Sequence, residues 1–469
     1  MFGNLQIASS GSHASPAVSE ARNDKCGVFP AFRHTPASLL ATLVSISSFV
    51  FLTACSDFMS PVKETPEPTE YSYNYWLLEK TYLYEDELVK LDPDGDSVQS
   101  LYKVLDDPYT RYVPPSKSEA AAQQMNTSIV EGDLGLEYMF KTDEEHPLFV
   151  YRVYPESPAA KAGVPRHGNI ISINGHEITD IADMDVYDSI VAHTQKITLK
   201  IATDSGTHSY KMKKETVYAP TIFIDTIEGM QYIQITEFKP TTLDKKDGTL
   251  GELRGYLDST SDVKDVRVLD LRNNPGGHVS QCVGMADLFV KKGTLSTRHW
   301  RSFNGEGKAL HFNEKRNATA GDPGEKGKFL ILVNENSASC AEIFTAAVTE
   351  LAPIPVVGRT TFGKGIGQTT WNTMAGGLAI ITNLEFITPK GNSYNKTGIV
   401  PDYPCDDFET VYDCVADAAK SEFGKKKSEK SSILPRAKII PKIRSTGGAL
   451  VESEEDISYF FNIALMPEE

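Results

Sequence analysis

At 469 residues the chain is too long for one ordinary hydrophobic core, so two or three domains are expected. A composition of 40% hydrophobic and 23% charged residues is that of a globular protein. The net charge of −16 excludes sequence-independent binding of nucleic acid, which needs a basic surface.

In chain order, Arg33 and His34 first precede an apolar run from Leu39 to Phe51, and Leu52-Thr53-Ala54-Cys55 follows. The run falls short of the roughly 20 residues that span a bilayer as a helix. It resembles a bacterial lipoprotein signal, in which Cys55 is acylated and becomes the first residue of the mature chain. That resemblance implies a leader over residues 1–55 and a lipid anchor, with the rest of the chain held at a membrane of a bacterial cell envelope, on its periplasmic or extracellular side. Residues 1–32 exceed an ordinary n-region, which puts the expected translation start downstream of Met1. Residues 56–70, rich in Pro, Ser, Glu and Thr, read as a flexible tether.

Tyr71 to Leu88 carries Trp76, Leu77, Tyr82 and Leu83 at helical spacing, and together with Leu105 to Tyr112 it resembles a family N-terminal helical region over residues 71–130. Within it, Asp106, Asp107 and Arg111 read as a turn with a surface ion pair rather than as catalytic carboxylates.

Residues 131–215 resemble a PDZ domain. Leu134-Gly135-Leu136 is similar to its carboxylate-binding loop, where successive backbone amides receive a peptide's C-terminal carboxylate. Ser157-Pro158-Ala159-Ala160-Lys161-Ala162-Gly163 and Ile170 to Gly175 resemble its helix-and-hairpin signature, and Asn174-Gly175 suits a type I′ turn. Asp183 to Ala192 is the expected helical wall of the groove. Gly168-Asn169 departs from the usual Gly-Asp, which touches a turn contact more than the domain assignment.

Over residues 216–423, strand-like runs (Tyr232 to Thr236, Val266 to Leu271) alternate with helical stretches (Val279 to Val290), which predicts an α/β core with active-site loops at strand ends. Ser339 follows the apolar run Phe329 to Val333 and precedes the helix-forming stretch Ala341 to Leu351, so its hydroxyl should project at a strand-to-helix turn beside helix-start amides. Lys364 lies 25 positions later between Gly363 and Gly365. A serine hydroxyl is a weak nucleophile until a base takes its proton, and a desolvated neutral lysine can be that base. Residues 424–469, lysine-rich, then acidic, then apolar at Tyr459 to Leu465, carry no recognisable motif.

With Leu269-Asp270-Leu271-Arg272-Asn273-Asn274-Pro275-Gly276-Gly277 as a third motif, the span from Tyr71 to Phe423 resembles the carboxy-terminal (tail-specific) processing proteases. The resemblance implies a crotonase-like α/β protease core with an inserted PDZ domain and an N-terminal helical region. It implies Ser339 as nucleophile, Lys364 as base and Gln368 as a third member, with amides of Gly276 or Gly277 and of Cys340 as the oxyanion hole. The implied substrates are proteins with exposed C-termini, and the implied chemistry needs no cofactor.

Blander readings exist for several of these residues. Ser337 and Ser339 could be helix caps, and Gln368 a strand surface residue. His278 reads as an exposed loop residue, because no spaced acid partner accompanies it. Gly358 to Lys364 begins like a phosphate-binding loop, but Gly365 stands where Ser or Thr would hold magnesium and strand rather than helix follows. Cys405 and Cys414 are compatible with a disulfide or with two isolated thiols, and no zinc-type spacing is present. Of Cys340 the backbone amide is the expected useful group. The competing function is a membrane-tethered PDZ peptide-binding scaffold with an inactive protease fold. A third, a ligand-binding protein or non-proteolytic hydrolase on the same core, leaves the PDZ segment unexplained.

Overall fold

The computed structural model describes residues 67–140, 146–180, 183–405 and 410–424. The leader with Cys55, the tether up to residue 66 and the tail from residue 425 lie outside the described residues.

The protease core is a six-stranded sheet in the order Ile222–Ile227, Met230–Ile235, Val266–Asp270, Lys328–Val333, Val356–Gly358 and Tyr403–Pro404. The first two strands form an antiparallel hairpin, and the rest run parallel. Parallel strands need crossovers, and helices Gly248–Ser259, Val279–Asp287 and Cys340–Leu351 lie in them. Period-two alternation then buries both faces. Phe329, Ile331 and Val333 pack with Leu253, Met285 and Phe344 on one side. Leu330 and Leu332 pack with Val411, Val415 and Ala418 of helix Val411–Phe423 on the other. This explains why Phe329 to Val333 reads as an unbroken apolar run.

A second, antiparallel sheet is centred on Leu378–Ile387, which pairs with Arg111–Val113, Thr294–Phe303 and Ile366–Asn372. Its face is covered by helix Glu70–Thr81, through Leu77, Leu78 and Tyr82 against Ala379 and Ile381. The N-terminal region is therefore not wholly helical: it contributes the strand Arg111–Val113 to this sheet and has no separate core.

Strands Ile129–Asp133 and Glu215–Tyr218 pair as a two-stranded ribbon, and between them stands a small unit with its own core. Its strands Leu136–Phe140, Leu148–Val153, Asn169–Ile173, Lys196–Thr203 and Gly206–Lys213 pair in that order, beside helix Asp183–His193. Asn174 and Gly175 both have positive φ (49° and 87°), as a type I′ turn requires, in the hairpin closed by Ile173 and His176. A buried polar cluster joins this unit to the protease sheet. Arg152 pairs with Glu137 at 3.1 Å, donates to Gln234 and lies 3.7 Å above the Phe223 ring, while Tyr154 donates to Glu137 at 2.6 Å. No helix among the described residues is long and apolar enough to cross a membrane.

Candidate active site

The site forms where two parallel strands end. After Val266–Asp270 the chain turns through the glycine motif, and after Lys328–Val333 it turns through Asn334 to Ala338. Side chains of one loop satisfy the backbone of the other. Asn273 donates its amide to Asn334 Oδ1 (2.9 Å) and accepts from Asn334 Nδ2 (2.8 Å) and Asn336 Nδ2 (3.0 Å). Ser337 Oγ donates to the Leu271 carbonyl at 2.8 Å and accepts from the Asn334 amide at 3.0 Å, so it ties the loops together rather than capping a helix. Below them Arg272 grips Asp270 with two nitrogens, at 3.0 and 2.7 Å, and this largely buried pair holds the guanidinium pKa above its usual value.

Ser339 occupies the N-cap position of helix Cys340–Leu351 with φ 55° and ψ −112°. That conformation is sparsely populated for a residue with a Cβ and costs on the order of 1–3 kcal/mol. What holds it is Glu342, three positions on and fully buried, whose Oε2 accepts the Ser339 amide at 2.9 Å. The same carboxylate accepts the Lys364 amide (2.8 Å), the Gly363 amide (2.7 Å) and the Thr361 hydroxyl (2.6 Å). Burial raises the Glu342 pKa and these four donors oppose it. Glu342 is the residue the motif reading missed. Its sequence signal is the capping-box spacing, serine followed three positions later by glutamate.

Gly276 closes directly on the serine. A Cβ there would lie 2.8 Å from Ser339 Cβ and 2.9 Å from the Cys340 nitrogen, and its φ of +104° also demands glycine. The Gly276 amide donates to Asn274 Oδ1 at 2.8 Å. As the first residue of its helix, Cys340 has no intrahelical acceptor for its N–H. Gly277 is held by Phe238 through a parallel bridge.

Lys364 is 5% exposed, and its pKa is lowered to about 8, chiefly by burial and further by the Arg111 guanidinium, with Asp107 and Glu342 opposing. Its ammonium lies 4.2 Å from the centre of the Tyr109 ring. Gln368, at a bulge in strand Ile366–Asn372, donates its amide nitrogen to Thr382 Oγ1 at 3.0 Å. The surface-turn reading of residues 106–111 is corrected: Asp107 is buried, and the turn packs on the lysine. Sequence alone did not indicate this, because the docking partner is some 250 residues away.

His278 is also not an exposed loop residue. It is partly buried ahead of helix Val279–Asp287, its Nε2 is 3.0 Å from Asn126 Oδ1, and burial with the nearby Lys239 lowers its pKa to about 4. The Cys340 sulfur has a role the sequence did not suggest, in a disulfide with Cys282 of the neighbouring helix. Cys405 and Cys414 form a second disulfide, which resolves the two open readings. In the PDZ loop, Leu134 and Leu136 point into the core, and the Gly135 amide is taken by Asp133 Oδ1 at 2.5 Å. On strand Leu136–Phe140, Tyr138 reaches Asp188 of helix Asp183–His193 (3.1 Å) and packs edge-on against Tyr187. Among the described residues no group of three His, Cys, Asp or Glu side chains is placed to hold a metal ion.

Residues 229–405 match the model of peptidase family S41, and residues 119–202 match that of the PDZ domain. The "Probable CtpA-like serine protease" of Staphylococcus aureus (strain N315) is 27% identical over 373 residues, covering 79% of this chain and 71% of that protein. Its namesake in Staphylococcus haemolyticus (strain JCSC1435) is 28% identical over 342 residues, covering 72% and 65%. A solved "Putative S41 protease" from Bacteroides fragilis NCTC 9343 shares the fold with a TM-score of 0.50 at 15% identity, covering 77% of this chain and all of that one. Strand-end loops built around a serine and a buried lysine agree with these matches, and the chain is a serine-type protease whose residues 229–405 are similar to peptidase family S41 and whose residues 119–202 are similar to the PDZ domain.

Proposed function

We propose that the protein is an envelope endopeptidase, anchored through a lipid on Cys55, that cleaves proteins with exposed C-termini through a Ser339–Lys364 acyl-enzyme. The observation that carries this reading is the shared carboxylate of Glu342, which draws the backbones of both residues to one oxygen while Lys364 is buried and its pKa lowered to about 8. At pH 7 about one lysine in ten is then neutral and able to act as base.

As Ser339 Oγ attacks the scissile carbonyl carbon, its proton passes to Lys364 Nζ. The carbonyl oxygen takes the negative charge and is held by the Cys340 amide with an amide of Gly276 or Gly277. The Gly276 amide is given to Asn274 in this structure, so its use requires that bond to be exchanged. Lys364 returns the proton to the leaving amine as the C–N bond breaks. It then takes a proton from the water that attacks the ester carbon and gives it to Ser339 Oγ as the ester C–O bond breaks, which frees the acid product and restores the starting enzyme. Gln368 steadies the lysine from its bond to Thr382. Incubating the purified protein with an unfolded protein tests the reading: wild type should cleave it and Ser339→Ala should not. Peptide binding with no cleavage and no labelling by a serine-directed phosphonate would favour the inactive scaffold.

A further inference from the structure

The segment Asp106 to Arg111 leads into strand Arg111–Val113, which lies along one side of Leu378–Ile387 with Arg111 opposite Ile380. On the other side of that strand runs Ile366–Asn372, which begins just after Lys364 and places Gln368 opposite Thr382. The turn therefore sits beside both the lysine and the glutamine. Its groups are organised toward them. Asp107 accepts the Thr110 hydroxyl (2.5 Å) and the Tyr109 amide (3.0 Å). Thr110 Oγ1 accepts the Thr382 amide at 2.9 Å, and Thr382 Oγ1 accepts Gln368 Nε2 at 3.0 Å. Arg111 Nη1 donates to the Tyr109 carbonyl at 3.3 Å, which ties the tyrosine's backbone within the turn.

We propose that Tyr109 is a positioning residue for Lys364, and that the N-terminal turn and the protease core make one active site. The ring face of Tyr109 holds the lysine end group at 4.2 Å, and the chain Asp107–Thr110–Thr382 holds Gln368. A lysine side chain has four flexible carbons, and a base must stay within hydrogen-bond reach of the proton it removes. An aromatic face restrains the amine without pairing it to a carboxylate, which would keep it charged. The proposal rests on the Ser–Lys reading above.

Three charged groups act on the lysine: Arg111 and Asp107 from the turn, and Glu342 from helix Cys340–Leu351. This gives a readout that a merely structural turn would not produce. In the full chain, the rate of Ser339 phosphonylation is measured against pH, with thermal unfolding as the folding control. Arg111→Met removes a cation and should move the midpoint of the rise to higher pH. Asp107→Asn removes an anion and should move it to lower pH. Tyr109→Phe keeps the ring face and should retain the wild-type plateau, whereas Tyr109→Leu should lose on the order of 10-fold. Midpoints that stay fixed or shift together, or a leucine variant as fast as the phenylalanine one, overturn the proposal. Lys364→Ala separates the two levels. If that variant keeps the wild-type rate, the Ser–Lys reading itself falls. If it is dead while the turn variants behave as wild type, only the role of the turn falls.

Discussion

The amides of Ser339 and Lys364 donate to the same oxygen, Oε2 of Glu342, at 2.9 and 2.8 Å. One buried carboxylate thus holds Ser339 in a strained conformation and fixes the loop that carries Lys364. Charge-assisted bonds of this kind contribute roughly 1.5–3 kcal/mol each, comparable with the strain at Ser339.

Glu342→Ala should therefore leave four buried donors unsatisfied. The expected outcome is destabilisation of several kcal/mol and loss of phosphonate labelling by about 100-fold or more. Glu342→Gln keeps one acceptor oxygen and should be intermediate in both. Urea unfolding with labelling kinetics checks this, and an alanine variant that labels at wild-type rate would remove the clamp.

Cleavage should rise with pH. Burial holds the Lys364 pKa down at about 8, so the neutral fraction grows through that value and saturates above it. Stability follows the same sign. The folded state binds fewer protons than the unfolded one between about 8 and the ordinary lysine value, so this residue's contribution becomes more favourable as pH rises through that window. His278→Ala should leave the profile unchanged, because that ring is already neutral above about pH 4. A rate that tracks His278 instead would displace lysine as the base.

Gly276→Ala should lower turnover sharply while leaving substrate affinity close to wild type. The added methyl meets Ser339 Cβ and the Cys340 amide nitrogen, which are backbone-anchored and cannot swing aside. Losing one oxyanion donor costs about 100- to 1,000-fold, and that is the drop expected in kcat.

In the PDZ loop, Asp133 accepts amides that a terminal carboxylate would need. Its pKa is raised to about 6, chiefly by burial, with the Gly135 and Leu134 amides and Lys214 opposing. A raised carboxyl pKa means protonation as pH falls through about 6, when the competing anion disappears. A peptide with a free C-terminus should bind more tightly at pH 5.5 than at pH 7.5, and Asp133→Asn should bind it about 5-fold more tightly at pH 7.5. An amidated peptide should respond to neither change. Fluorescence anisotropy with the two peptides decides it, and equal responses would show that the loop does not read terminal carboxylates.

The Cys282–Cys340 disulfide joins the helix after the glycine motif to the first residue of the serine helix. Cys282→Ala should lower unfolding stability by about 2–4 kcal/mol in an oxidising buffer and much less under reductant. A variant as stable as wild type in both buffers would show that the bond contributes nothing.

Local patterns determined much of this protein from sequence alone. An apolar run buried on both faces marked strand Lys328–Val333, Asn174-Gly175 marked the turn of the hairpin closed by Ile173 and His176, and the order of the motifs around Gly276, Ser339 and Lys364 marked the protease. Each depends on a few adjacent residues, so the chain carries it openly. What tertiary structure decided are contacts between segments far apart in sequence. Tyr109 meets Lys364, Cys282 meets Cys340, and Gln368 gives its amide to Thr382. Asp107 looked like a surface carboxylate because its local neighbours are turn residues, and only the packing of the N-terminal region onto the second sheet buries it. Glu342 lay between the two: its capping-box spacing from Ser339 is a local signal that the motif reading passed over, but its hold on Lys364 exists only once two loops converge on one buried carboxylate, where desolvation makes every unmet donor costly.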